Sequence, residues 1–224
     1  MKPIIECVPN FSEGEDETTI AAIAAAIKSV EGVQLLHQDS GKAANRTVYT
    51  FAGEVHLVFE AAYRAIAVAV ERIDMRKQNG EHPRIGACDV CPFIPISGIS
   101  LKELIPLTKS FAEKVNRDFN IPIYLYEESA SSEKRKNLAK HRQGQYEGLE
   151  KRIKSGKWLP DYGSFNPKFG GCVMGARNFL VAYNINLNTT NAKTAQEIAY
   201  DLRELGRPIG KENGKTIYKP GKLK

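Results

Sequence analysis

Apolar residues in the first hundred positions follow two spacings. In residues 17–30 and 55–73 they recur every three or four positions, which is the period of an amphipathic helix. Alternating or short continuous apolar runs, bounded by proline, glycine and polar residues, predict strands at 3–9, 33–39, 46–51 and 90–96. The order strand, helix, strand, strand, helix, strand predicts an α/β (α+β) fold of the ferredoxin-like, split βαβ type. Its four-stranded antiparallel sheet carries two helices on one face.

The pattern becomes less regular after residue 100. Ser100 and Glu103 form a capping box that predicts a third helix through Phe119. The remaining elements are predicted as a strand at 121–126, short surface helices within 127–156, an irregular segment at 158–171, a strand at 179–187, a helix at 191–205 and a hairpin strand at 216–218. A strand and a helix do not close a domain. We therefore expect a first subdomain at 1–177 and the beginning of a second, incomplete α/β subdomain at 178–224.

Composition places the chain among soluble globular proteins, with 42% hydrophobic and 26% charged residues. No charge-free apolar run approaches the roughly 20 residues of a transmembrane helix. The first residues reach Glu6 too early for a secretory signal. We therefore expect a cytoplasmic protein that does not contact a membrane.

Most of the net charge of +6 lies at one end of the chain. Residues 203–224 carry +5 of it, which leaves +1 for the first 202 residues. That distribution is not the basic face of a nucleic-acid-binding domain, so no nucleic-acid partner is predicted. Positive charge close to a site would still favour an anionic substrate.

Four cysteines are too few for a disulfide scaffold. Cys88 and Cys91 have the C-x-x-C spacing of zinc and redox sites, but the sequence offers no second pair to complete four ligands. The pair is interpreted as two small hydrophobic residues at the start of a strand, and no metal is predicted.

The segment Gly80–Gly86 contains the strongest candidate for chemistry, His82. Pro83 disfavours helical geometry for the residue before it, which directs the imidazole outward from a stiff turn. The flanking glycines are expected to let the backbone bend tightly and a ligand approach closely. The alternative is an exposed turn that only connects two elements.

Two further loops each have two interpretations. Residues 10–14 join a strand to a helix, where free backbone N–H groups bind an anion, or where Ser12 caps the helix. Residues 158–171 contain aromatic residues, prolines and glycines, and form either a binding loop for a flat ligand or an ordered surface crossing.

Six stretches carry a resemblance to a known family. They are residues 6–14 (ECVPNFSEG), 45–51 (NRTVYTF), 80–84 (GEHPR), 89–95 (DVCPFIP), 175–177 (GAR) and 184–187 (NINL). Together they closely resemble the glutamate formimidoyltransferase family, the N-terminal module of formimidoyltransferase-cyclodeaminase. The match runs over nearly the whole chain in consistent order.

The resemblance implies transfer of a formimidoyl group from N-formimidoyl-L-glutamate to N5 of tetrahydrofolate, in histidine breakdown. Tetrahydrofolate is then a co-substrate, no metal is needed, and the expected assembly is a homodimer. The family's catalytic histidine falls on His82. Its folate-binding loop falls on Gly163, Ser164, Phe165, Asn166, Pro167, Lys168, Phe169, Gly170 and Gly171.

Further roles follow from the chemistry of that reaction. An imidazole with a pKa of about 6.5 suits a proton shuttle. Asp39, at a strand end entering a glycine loop, is the candidate carboxylate to orient it or to stabilise a cationic amidinium; a turn-forming role is the alternative. Arg46, Arg84 and Arg177 are candidates for the substrate carboxylates, or else form structural ion pairs. Asn184 contacts a polar ligand or a neighbouring loop.

One departure from the family leaves a second function open. Family members continue through a complete second subdomain, of which this chain is expected to hold only the opening strand and helix. The alternative is therefore a non-catalytic folate-binding fragment, or half of an assembly that a partner chain completes. The sequence also leaves open whether the carried group is formimidoyl or formyl.

Overall fold

A computed structural model of the chain describes residues 2–180, 185 and 187–222. Contacts within the chain divide it into two units, Met1–Phe179 and Leu180–Lys224, and each is described by itself. The first unit contains the strands β1 (Ile4–Cys7), β2 (Asn10–Phe11), β3 (Gln34–Gly41), β4 (Arg46–Glu54), β5 (Cys88–Ser97), β6 (Ile123–Leu125) and β7 (Cys172–Ala176). Its helices are α1 (Glu17–Lys28), α2 (Val55–Arg72), α3 (Leu101–Phe119), α4 (Leu138–His141) and α5 (Gln145–Lys154).

The strands of the first unit form one mixed sheet. β1 and β2 lie one after the other between β4 and β5, and both pair with these two strands. β3 pairs with the other edge of β4. All of these pairings are antiparallel. This arrangement confirms the predicted ferredoxin-like fold class. β7 and β6 extend the sheet beyond β5 with parallel pairing. The sequence analysis missed β7, because five residues of Cys, Val, Met, Gly and Ala show no alternation of apolar and polar positions.

Helices α1 to α3 pack on one face of the sheet through apolar side chains. The three rings of Phe59, Phe93 and Phe111 lie 4.7 to 5.4 Å apart, centroid to centroid, and join α2, β5 and α3. Tyr49 and Phe51 on β4 point to the same layer and are fully buried. This face holds the main hydrophobic core.

The second face is covered over only half of its width. α4 and α5 lie over β5, β7 and β6, where Leu149 packs on Tyr124 and Val173. On β4 the residues that alternate with the core, Arg46 and Val48 among them, stay half-exposed. Within the first unit this half of the second face is therefore open.

Helix caps follow the predicted chemistry in one case and depart from it in another. The capping box of Ser100 and Glu103 is present at the start of α3. At α1 the N-cap is Asp16, whose side chain accepts from the backbone N–H of Thr18. The Ser12 hydroxyl instead donates to the carbonyl of Gly86 at 2.8 Å, so the interpretation of Ser12 as a helix cap was wrong.

All four cysteines are buried in the first unit, and the Cys7 and Cys91 sulfurs lie 3.7 Å apart. The described residues contain no group of three or more His, Cys, Asp or Glu placed to hold a metal ion. Among the helices in the described part of the chain, none has the length and hydropathy needed to span a bilayer.

The second unit contains the helix α6 (Ala192–Leu202) and a hairpin of β8 (Arg207–Glu212) and β9 (Lys215–Lys219). The predicted hairpin strand at 216–218 lies within β9. The predicted strand at 179–187 falls largely on residues 181–184 and 186, which lie outside the described residues.

Candidate active site

His82 lies in the connection between α2 and β5, and hydrogen bonds to two other segments help to fix that connection. Glu81 N donates to the carbonyl of Ala43 at 3.0 Å, in the turn between β3 and β4. The carbonyl of Ile85 accepts from Gly171 N at 2.8 Å. The connection is therefore ordered by backbone contacts and not only by its own turn chemistry.

The two glycines that flank His82 allow close contacts between backbone segments. A Cβ atom on Gly80 would lie 2.3 Å from the carbonyl oxygen of Ala44, and one on Gly86 would lie 2.1 Å from that of Gly171. Any side chain at either position would force the segments apart. The expected close approach of a ligand at these glycines is corrected accordingly, because neighbouring backbone occupies that space.

The tautomer of the His82 ring follows from its one hydrogen bond. Nδ1 lies 2.8 Å from the carbonyl oxygen of Pro83. A carbonyl oxygen only accepts, so Nδ1 carries the hydrogen. In the neutral ring Nε2 is then unprotonated and is able to accept a proton from a bound molecule.

The His82 ring lines an open cleft with a volume of about 410 Å³. The cleft is lined by His82, Pro83, Leu138, Ala139, Arg142, Gly144 and Gln145, that is, by the His82 loop and the ends of α4 and α5. Its volume is in the range of small-molecule sites.

An ion pair between buried Asp89 and the cleft residue Arg142 lies beside this cleft. Asp89 is 1% exposed, and its Oδ1 accepts from the backbone N–H of Ile85 at 2.9 Å. Its Oδ2 accepts from Nε and Nη2 of Arg142 at 2.9 and 2.5 Å. A buried carboxylate requires such a partner, and the pair links the start of β5 to the residue that ends α4.

Arg46 and Asp39 lie on the open half of the sheet, and neither is among the described residues that line the cleft. Asp39 pairs with Val48 across β3 and β4, so it lies within a strand, two residues before its end, and not in a turn. Arg46 shares the face of Val48. Its Nε is buried and has no hydrogen-bond partner within the described residues. Burial, and then the positive charge of Arg142, lower the pKa of Arg46. Arg46 directly follows the turn whose Ala43 carbonyl accepts from Glu81 N, next to His82.

The same charges act on His82. Burial is the largest cause of a lowered pKa for its imidazole, followed by the positive charges of Arg46 and Arg142. The Pro83 hydrogen bond and Asp89 act in the opposite direction. Together these effects favour the neutral ring, in which Nε2 is the acceptor.

Two further predicted arginines, Arg84 and Arg177, are also absent from the described lining of the cleft. Arg84 is buried, and both of its terminal nitrogens bind the carboxylate of Glu147 at 2.6 and 3.0 Å, the structural ion pair that was the alternative interpretation. Arg177 directly follows β7. The last residue of β7, Ala176, pairs with Phe93 of the parallel strand β5, so Arg177 lies beyond Phe93, on the side away from Asp89. At about 3.3 Å per residue, Asp89 is roughly 13 Å from Phe93.

The Gly163–Gly171 segment is an ordered crossing held to the rest of the unit. The Lys168 ammonium donates to the carbonyls of Val70 and Glu71 at 2.8 Å, at the end of α2. Phe169, Gly170 and Gly171 are buried, whereas Gly163, Ser164 and Pro167 are exposed, and Phe165 and Asn166 are half-buried. Among the described residues that line the His82 cleft, none belongs to this segment.

The structure thus places His82 in a cleft beside Arg142, which Asp89 holds, and sequence reasoning missed both Asp89 and Arg142. The positive charge of Arg46 also acts on His82, whereas Asp39 acts on Arg46. The signal for Asp89 and Arg142 was present: Asp89 opens a strand of apolar residues, and a carboxylate in such a place needs a cation. The sequence did not say which of the many basic residues between 127 and 156 would supply it. Asn184 lies outside the described residues.

Comparison with known proteins gives one consistent family. The model of the formiminotransferase domain, N-terminal subdomain, matches residues 4–177. Formimidoyltransferase-cyclodeaminase of Dictyostelium discoideum is 47% identical over 209 residues, covering 92% of this chain and 39% of that protein. The protein of the same name from Rattus norvegicus is 47% identical over 226 residues, covering 100% of this chain and 40% of its own length.

A shorter relative is glutamate formimidoyltransferase of Streptococcus pyogenes serotype M1, 46% identical over 208 residues, which cover 92% of this chain and 70% of that protein. The chain thus spans about 40% of the length of the two cyclodeaminase relatives and about 70% of the shorter one.

Proposed function

The chain belongs to the formiminotransferase family, and from that premise we propose that it transfers a formimidoyl group from N-formimidoyl-L-glutamate to N5 of tetrahydrofolate. The observation that carries the proposal is the His82 ring, which lines a cleft together with Arg142 and whose Nε2 has no hydrogen-bond partner in the described part of the chain. The name of the 46% identical relative supports the choice of donor. The reaction is a step of histidine breakdown that feeds folate one-carbon metabolism.

The mechanism uses His82 as a proton shuttle. N5 of tetrahydrofolate attacks the amidine carbon of the donor, forming a new C–N bond and a tetrahedral intermediate. Nε2 of His82 takes the proton that N5 loses and gives it to the glutamate nitrogen, whose bond to the carbon then breaks. General acid and base catalysis of this kind contributes about 10²- to 10⁴-fold to a rate.

The charges around His82 suit the first half of that shuttle. A base must be unprotonated when the nucleophile arrives, and burial together with the charges of Arg46 and Arg142 lowers the pKa of the imidazole, which favours the neutral form. Asp39 is exposed on the open half of the sheet. There its carboxylate stabilises the cationic amidinium as the donor enters.

Tetrahydrofolate is the co-substrate, and the segment Gly163–Gly171 is proposed to form part of its binding site. Backbone bonds and the Lys168 contacts to α2 hold the segment in place, so its exposed residues require little ordering on binding. Ser164 and Pro167 are the exposed contacts that we assign to it.

The test is direct transfer by the purified chain. Formimidoylglutamate and tetrahydrofolate are mixed with the protein, and 5-formimidoyltetrahydrofolate is followed by absorbance. The variant His82→Ala is expected to lose about 10²- to 10⁴-fold in rate while its folate affinity, measured by calorimetry, is kept. His56→Ala, at an exposed position on α2, is the matched control and is expected to match wild type.

Other outcomes separate the alternatives. Unchanged turnover in His82→Ala removes the histidine from the mechanism. Folate binding by the wild-type chain without any product identifies a binding module or half of an assembly. A parallel reaction with formylglutamate shows whether the carried group is formyl.

A further inference from the structure

Arg142 is held in a fixed position from one side only. Its Nε and Nη2 both donate to Asp89, and Asp89 is itself fixed by the backbone N–H of Ile85. The guanidinium therefore has little rotational freedom, although its side chain is still 16% exposed. Within the described part of the chain Nη1 has no hydrogen-bond acceptor, and Arg142 lines the His82 cleft.

Around His82, two positive groups, Arg46 and Arg142, are accompanied by one buried carboxylate, that of Asp89. Asp89 satisfies Arg142, but Arg46 has a buried Nε without a partner among the described residues. The carboxylates that act on the charge of Arg46 are Asp89, already bound, and the exposed Asp39. Two guanidinium groups near each other repel, and an anion between them removes that cost. Guanidinium groups match carboxylates with two parallel hydrogen bonds, which makes a carboxylate the fitting anion.

We propose that Arg142, positioned by Asp89, acts with Arg46 as the receptor for a dicarboxylic amino acid, and that Arg142 selects the second carboxylate. The proposal rests on the proposed function in one respect, because the amino acid is taken to be the glutamate part of the donor. Arg142 and Arg46 then each bind one carboxylate and place the amino-acid nitrogen near Nε2 of His82. Asp89 is a positioning residue, since it reaches the substrate only through Arg142.

Ligand selectivity is the measurement that separates this role from a structural one. L-Glutamate and L-glutamine have nearly the same shape and differ in one carboxylate. A receptor with two guanidinium groups prefers glutamate, because the amide leaves one guanidinium without an anion. An ion pair that only holds α4 to β5 would not affect the ratio of the two affinities.

The experiment is calorimetric titration of the full chain with each amino acid. Wild type is expected to bind L-glutamate more tightly than L-glutamine. Arg142→Met is expected to weaken L-glutamate binding about 30-fold, or about 2 kcal/mol, and to remove the preference. Lys151→Met, which removes one positive charge from exposed α5 surface, is the control and is expected to keep both affinities.

A second variant covers the case in which Arg142→Met does not fold. Asp89→Asn combined with Arg142→Met leaves no unpaired buried charge and keeps an acceptor for Ile85 N–H. It is expected to show the same loss of preference. Asp89→Asn alone is expected to weaken L-glutamate binding, but to add nothing in the Arg142→Met background, as a positioning residue requires.

The outcomes also separate this inference from the proposed function. Absence of L-glutamate binding by wild type, or an unchanged preference in the folded Arg142 variants, overturns the receptor. Failure of the transfer assay with a preference that depends on Arg142 overturns the proposed function and leaves the receptor in place.

Discussion

The two layers that cover the sheet are held to it by different interactions. α1 to α3 contact their face through apolar side chains, among which the rings of Phe59, Phe93 and Phe111 meet. α4 and α5 have a smaller apolar cluster. Their attachment adds ion pairs between Arg84 and Glu147 and between Arg142 and Asp89.

We call α1 to α3 the first layer and α4 and α5 the second layer. The difference in attachment explains why the candidate site lies beside the second layer. Apolar packing depends on area and volume and places no charge. A guanidinium bound to a carboxylate is fixed in direction as well as in position. The second layer therefore brings Arg142 to the cleft in a defined orientation, whereas the first layer supplies the stable sheet on which the His82 loop rests.

The first layer should give the largest change in stability. Phe93→Ala removes a ring that is fully buried between α2 and α3. We expect it to lower the free energy of unfolding by about 4 kcal/mol, the size typical of such cavities, as measured by urea titration. Ile96→Ala, on the same strand but 44% exposed, is the control and should cost less than about 1 kcal/mol. Similar losses in both variants would mean that strand position, and not burial in the first layer, sets the cost.

The first layer is also the part that the sequence predicts well. The spacing of apolar residues in 17–30 and 55–73 placed α1 and α2 within two residues of their observed ends. Helix packing on an antiparallel sheet depends on that periodicity alone, so local patterns were sufficient. His82 became a candidate through its local turn chemistry together with the family resemblance, and its catalytic role stays a prediction.

The second layer shows why the rest could not be predicted. Residues 127–156 appeared as charged surface helices, because nothing in a single sequence says which arginine meets which carboxylate. Asp89 and Arg142 are 53 residues apart, and Arg84 and Glu147 are 63 apart. Their pairing depends on the finished fold. The local pattern therefore placed Arg84 in the site and missed Arg142.

Acid should weaken the second layer before the first. His141 on α4 is 1% exposed, and its Nε2 lies 2.6 Å from the carbonyl oxygen of Arg135 while Nδ1 accepts from Trp158. Burial, the largest cause, lowers the pKa of His141 to about 4. In the unfolded chain the pKa is about 6.5, so between these values the unfolded state binds the additional proton and stability falls as pH falls. Above about 6.5 this loss is absent.

From pH 7 to pH 5 the loss attributable to His141 should be about 2 kcal/mol, at about 1.4 kcal/mol per unit below 6.5. Urea titrations at the two pH values measure it. His141→Gln keeps a donor for the Arg135 carbonyl and does not titrate, so its pH dependence should be smaller by that amount. Hydrogen exchange at pH 5 should rise in α4 and α5 before α1 to α3. Equal pH dependence in both proteins would assign the acid sensitivity to other groups.

The smallest expected effect is a change in the pKa of His82. It tests whether a charge on the open half of the sheet, Arg46, and one in the second layer, Arg142, both act on the His82 ring. Arg46 lies at the start of β4 and Arg142 at the end of α4, and both positive charges lower the pKa of the imidazole, Arg46 more than Arg142. Removing either charge makes the imidazolium less unfavourable, so Arg46→Gln and Arg142→Gln should both raise the pKa of His82, the first by more. NMR titration of the His82 ring protons measures this without any substrate, and Lys151→Met should leave the titration unchanged. A His82 pKa that stays the same in both variants would mean that burial alone lowers it. The charges of Arg46 and Arg142 would then have no effect on the ring.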